Sequence, residues 1–156
     1  MRPSHGGIVF QYGFWNTAFR VEMRRVSDTF VIVANTLIDI PGAIDTPQVR
    51  FSDDGYLELN GRSLPENAFE FYHPIIESMR SYLETQPNGI QMRVQLDYFN
   101  SSSGRYLFEM IHLLESSTHP HHHTVRWVVD GEDELMEERG REIQSLVNIS
   151  FTIEKS

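Results

Sequence analysis

From Leu37 onward the apolar positions of the chain fall into two rhythms, one of period two and one of helical spacing. Leu37-Ile38-Asp39-Ile40 reads as a short strand stopped by Pro41-Gly42. Val49-Arg50-Phe51 and Tyr56-Leu57-Glu58-Leu59 alternate around Asp53-Asp54-Gly55, a hairpin whose turn tolerates positive φ, closed by Gly61-Arg62. Ser63, Pro65 and Glu66 have the spacing of a capping box, so a helix is expected from Ser63. Ile75, Ile76, Met79, Tyr82 and Leu83 continue it at helical spacing up to Pro87-Asn88-Gly89. Pro74 is expected to bend this helix or to join two pieces near His73. Ile90, Met92, Val94, Leu96 and Tyr98 share one face of a strand.

A serine-rich turn follows, then a helix from about Ser103 to Glu115 with Leu107, Met110, Ile111 and Leu114 on one stripe. Ser116 to His123 reads as a loop, Thr124 to Val129 as a strand, Glu132 to Ile143 as an acidic helix held on the core by Leu135 and Ile143, and Val147 to Ile153 as the last strand. Strands alternating with helices require crossover connections. The fold class is therefore α/β: a single domain with a mixed, mostly parallel sheet flanked by helices, over residues 37–156. Residues 1–36, with Gly6-Gly7 and Phe14-Trp15 and no sustained period, read as a poorly ordered N-terminal extension; an aromatic arm that docks on a partner is the other reading.

Composition narrows the function. The chain has 156 residues and a net charge of −9, so nucleic acid and anionic membrane are poor partners. Arg24-Arg25 is the only basic pair, and no apolar run approaches the roughly 20 residues of a membrane helix. No cysteine is present, which removes disulfides, thiolate ligands and cysteine nucleophiles and fits a cytoplasmic protein. No phosphate-binding glycine motif occurs, and no cofactor is expected.

Asn100-Ser101-Ser102-Ser103 stands where a strand meets an amphipathic helix. Asn and Ser cap helices well. The same helix start also tolerates a phosphate, because its N–H groups are free and the dipole end is positive. A phosphorylated hydroxyl there adds about −1.5 to −2 charges to whatever surface lies beside it.

Four blocks carry a resemblance: Asp45-Thr46-Pro47-Gln48-Val49, Gly61-Arg62-Ser63-Leu64-Pro65-Glu66-Asn67-Ala68, Phe71-Tyr72-His73-Pro74-Ile75 and Leu96-Asp97-Tyr98-Phe99-Asn100-Ser101-Ser102-Ser103. Together they resemble the SiaC family of regulatory phosphoproteins over about residues 37–153. The resemblance implies a fold similar to anti-sigma-factor antagonist (STAS-like) domains. It implies a partner switch and not an enzyme: a kinase phosphorylates the turn, a phosphatase reverses it, and the unphosphorylated form binds and activates a diguanylate cyclase, with cyclic di-GMP and biofilm behaviour as output. The modified hydroxyl, a threonine in the best-known member, directly follows the Asn, and the matching position is Ser101, with Ser102 second. Arg62, Glu66, Asn67, Asn100, Ser102 and Ser103 are the expected partner-binding residues.

Two other chemistries are weighed. Ser101, His112 and Asp97 supply the types of a hydrolase, but His112 lies nearly three turns along the helix and no nucleophile elbow is present. The His119-Pro120-His121-His122-His123 cluster offers imidazole ligands without matching carboxylates, and is expected to be an exposed loop. The segment Asp130 to Glu142 holds seven acids against two arginines and reads as a solvated helix face.

Overall fold

The computed structural model describes residues 22–26, 29–33, 36–85 and 88–156. Strands β1 (Glu22–Val26) and β2 (Thr29–Val33) pair antiparallel as a separate two-stranded sheet. The sequence had shown no period there. Val31-Ile32-Val33 is a continuous β-branched run, which favours strand without alternating. Residues 1–21 of the expected extension, with its Phe14-Trp15 arm, lie outside the described residues.

The main sheet has six strands in sequence order: β3 (Thr36–Ile40), β4 (Gln48–Ser52), β5 (Tyr56–Ser63), β6 (Gln91–Phe99), β7 (Thr124–Val129) and β8 (Ser150–Lys155). The pairs β3·β4 and β4·β5 are antiparallel, and β5 to β8 run parallel. This is the mixed sheet expected from the element order. Helices α1 (Ala68–Thr85), α2 (Ser101–Glu115) and α3 (Glu134–Ser145) make the three crossovers. Right-handed crossovers advancing in one direction put all three helices on one face. That face carries Val49, Phe51, Leu57, Leu59, Met92, Val94, Val125, Trp127 and Phe151, all buried in one core with the apolar stripes of the helices.

Along the alternate positions a polar row crosses the sheet in register: Asp39 opposite Arg50, Arg50 opposite Glu58, Glu58 opposite Arg93 and Arg93 opposite Arg126. Arg93 donates to Glu58 at 2.7 Å, and Arg126 forks onto both carboxylate oxygens of Glu154 at 2.9 and 2.7 Å. The Arg126 fork holds the Glu154 carboxyl below its ordinary range. Each such pair is worth little at a surface, about 0–1 kcal/mol, but the row keeps this side of the sheet hydrophilic.

Three local expectations are corrected. α1 begins at Ala68, not near Ser63, because β5 runs on through Ser63 as a buried strand residue. Asn67 is the residue that caps, accepting from the Glu70 N–H at 3.3 Å. Pro74 sits inside one continuous α1, so the reading of two separate pieces is the one corrected; it lies on the exposed side, where water can reach the carbonyl it leaves unpaired. In α3 the inward residues are Met136, Gly140 and Ile143, while Leu135 is 52% exposed. A Cβ on Gly140 would stand 2.5 Å from Trp127 Cδ1, so the helix approaches the sheet only because that position is glycine. Gly140→Ala is therefore expected to destabilise the fold by about 1–3 kcal/mol through overpacking, read as a lower urea midpoint.

Candidate functional site

Two devices shape the end of β6. Gly61 has φ 111, a conformation side chains disfavour, and the β5·β6 register slips beside it: Gly61 pairs Leu96 while Arg62 pairs Tyr98, which leaves Asp97 as an extra residue. The slip reverses the alternation. Phe99 now packs on the core, edge-on to Trp127 at 5.9 Å, and Tyr98 is turned out, 42% exposed, against its expected place on the buried face. The Arg62 guanidinium stands 6.0 Å from the Tyr98 ring centroid.

Asn100 then caps α2. Its side-chain oxygen accepts from the Ser103 N–H at 2.8 Å, its carbonyl from Gly104 at 2.9 Å, and its own N–H donates to the Ser63 carbonyl at 3.2 Å. The helix thus starts at Ser101, two residues earlier than the spacing had suggested. Its first three residues divide sharply: Ser101 and Ser102 are exposed, and Ser103 is fully buried.

Ser103 belongs to a chain of hydroxyls. Tyr72 and Ser63 share a hydrogen bond of 2.5 Å, Ser63 Oγ donates to Ser103 Oγ at 2.8 Å, and Ser103 Oγ donates to the Ser63 carbonyl at 3.0 Å. Tyr72 stacks on Tyr106 of α2 at 5.3 Å. Burial pushes the Tyr72 phenol above its usual pKa, so it stays a neutral donor. The expected partner-binding role of Ser103 is therefore corrected: its hydroxyl is spent inside the protein.

Ser101 instead lines a surface groove of about 220 Å³ between β6, the start of α2, and α3. Tyr98, Phe99, Asn100 and Ser101 form one wall, and Leu135, Met136 and Arg139 the other. Arg139 is ion-paired with Glu142 at 3.0 Å and half exposed. Of the residues expected from sequence, Asn100 and Ser101 come together here, and Arg62 stands beside the groove residue Tyr98 without lining the groove itself. Glu66 and Asn67 are exposed at the start of α1 and do not line the groove, and neither does Ser102. Leu135 and Arg139 were missed. The signal was present: they are four apart, one position ahead of the Met136-Gly140 pair that faces the core.

The other chemistries find no geometry. His112 contacts Glu115 and Ser116 at the far end of α2. Among the described residues no three of His, Asp or Glu converge as metal ligands. In the expected exposed loop His119, His121 and His122 are exposed, whereas His123 is buried. Its Nδ1 accepts from the Ile90 N–H at 2.8 Å, and its Nε2 faces Ser117 Oγ at 2.7 Å. This arrangement requires neutral imidazole with the proton on Nε2. Burial, then the neighbouring His122, His119 and His121, lower its pKa. No helix among the described residues is long and apolar enough to cross a membrane.

The mixed sheet, with a capped helix start and a groove beside it, places the chain among small single-domain α/β proteins. It belongs to the SiaC family of regulatory phosphoproteins, whose family model matches residues 40–156. Over 119 residues it is 26% identical to an uncharacterized protein of Pseudomonas aeruginosa (strain UCBPP-PA14), covering 75% of this chain and 94% of that protein. A chain in the crystal structure of diguanylate cyclase SiaD in complex with its activator SiaC from Pseudomonas aeruginosa superimposes with a TM-score of 0.73 at 26% identity, covering 76% of this chain and 99% of that one. The crystal structure of apo-SiaC from the same organism shares the fold, with a TM-score of 0.70 at 24% identity over 77% of this chain and 98% of that one.

Ser103→Ala is expected to cost about 1–3 kcal/mol by stripping the Ser63 hydroxyl and carbonyl of a partner, while Ser101→Ala stays within about 0.5 kcal/mol; urea denaturation compares them. For His123 the folded state favours the neutral form more than the unfolded chain does. Its contribution to stability is thus complete above the unfolded value of about 6.5 and falls away as pH drops below it. The stability difference between wild type and His123→Gln should therefore shrink between pH 7.5 and 5.5, as followed by urea midpoints.

Proposed function

We propose that this protein is a phospho-regulated switch in the cytoplasm. In its unphosphorylated form it binds and activates a diguanylate cyclase through the groove beside Ser101. A serine kinase transfers the γ-phosphoryl group of ATP to Ser101 Oγ; the hydroxyl proton passes to the kinase's base and ADP leaves. A phosphatase returns the hydroxyl by hydrolysis. The observation that carries this reading is the position of Ser101: an exposed hydroxyl in the first turn of a rigidly capped helix, on the wall of a groove rimmed by exposed Tyr98 and Leu135. Ser102 is exposed too, but it is not part of the groove wall, and Ser103 is out of a kinase's reach. Family membership and the likeness to a chain from a SiaD–SiaC complex support a cyclase as the partner.

Mechanistically, a phosphate adds about −1.5 to −2 charges to a wall that otherwise offers aromatic and aliphatic surface to a partner. Arg62, beside Tyr98, and Asn100, which fixes the helix start, then act as contact and positioning residues. Glu66 and Asn67 extend the contact surface onto α1.

The test is incubation with the cognate kinase and ATP, phosphosite mapping by mass spectrometry, and titration against the cyclase. Phosphate on Ser101, unchanged cyclase binding by Ser101→Ala and at least about tenfold weaker binding by Ser101→Asp (about 1.4 kcal/mol) are expected. Phosphate confined to another residue, or an aspartate without effect, would overturn the proposal.

A further inference from the structure

Resting on Ser101 as the phosphoacceptor, we propose that its phosphate is captured within the same chain by Arg139 and Arg105, and that the capture closes the groove. The chain carries 13 lysines and arginines against a net charge of −9, and one arginine shares the groove of this hydroxyl while another follows it by one helical turn. Arg139 lines the same groove from α3. Arg105 is exposed on α2 four residues after Ser101, on the same helix face, and makes no ion pair among the described residues. Arg62 stands over Tyr98 on the neighbouring strand. Among the described residues no carboxylate lines the groove; Asp97 is exposed beside Tyr98, and Glu142 is the present partner of Arg139.

A phosphate on Ser101 offers three acceptor oxygens to guanidinium forks, which match phosphate geometry in a way a lysine ammonium does not. The α2 N-terminus adds its own positive end. Arg139 has only an exposed pair with Glu142 to give up, and such pairs hold weakly. Moving to the phosphate, the Arg139 side chain lies across the groove between Tyr98 and Leu135 and covers the apolar surface a partner would use. Phosphorylation then acts by occlusion as well as by charge.

The experiment uses the full chain with phosphoserine installed at position 101 during translation, so that no kinase is needed. Phosphorus NMR follows the second ionisation of the phosphate, about pH 6 in an unperturbed phosphoserine. Its pKa is expected to lie below that value and to rise by about half a unit or more in Arg139→Gln, with a smaller rise in Arg105→Gln. The Leu135 methyl resonances should shift on phosphorylation in wild type and not in Arg139→Gln. Identical titrations and identical Leu135 shifts in the two proteins would overturn the capture, even with Ser101 confirmed as the acceptor. A kinase that leaves Ser101 unmodified in the mass-spectrometric experiment would instead overturn the reading on which the capture rests.

Discussion

Three hydroxyls, those of Ser63, Tyr72 and Ser103, tie the rest of the site together. They belong to the end of β5, the first turns of α1 and the first turn of α2, and they meet in the core with every hydrogen satisfied. A buried polar group without a partner costs about 1–3 kcal/mol, so the three elements have little freedom to slide apart. Ser63 also accepts the Asn100 N–H through its carbonyl, which fixes the cap residue. The exposed serines are thus presented from a rigid mount. One serine of the run is structural so that the two before it can stand in solvent at a defined angle.

The groove follows from the same region. The extra residue Asp97 in β6, opposite a left-handed Gly61, exchanges the places of Tyr98 and Phe99. Phe99 seals the core against Trp127, and Trp127 in turn holds α3 by donating from Nε1 to the Met136 carbonyl at 2.9 Å. Gly140 lets α3 come close enough for that bond. With Met136 inward, Leu135 and Arg139 necessarily face the groove. Packing at Trp127 therefore sets the width of the surface that carries Ser101, although Trp127 itself is buried.

Charge is distributed with similar economy. The polar row across β3 to β8 pairs most of its own ions, and α3 pairs Glu137 with Arg141 and Lys155. In the groove beside Ser101, Arg139 holds a half-exposed pair with Glu142.

Much of the fold was legible in the sequence, because strands and amphipathic helices leave periods of two and 3.6 residues. The element order from β3 onward, the β4·β5 hairpin, β7 and the crossover architecture all follow from those periods, and the serine turn was readable as a capped helix start. Which serine faces where was not. Ser63 has the local pattern of a helix cap, but a partner 40 residues away draws it into the core as the end of a strand. Tyr98 continues an alternating face, but a bulge that depends on the neighbouring strand turns it outward. Leu135 reads as the apolar anchor of α3 until Trp127 selects Met136 and Gly140 instead. By itself the sequence determined the elements and the capped, serine-rich helix start, since both rest on contacts within a few residues. The exposure of Ser101, the burial of Ser103 and the groove between Ser101 and Arg139 were decided only in the tertiary structure, because each depends on which distant side chain fills the space beside it.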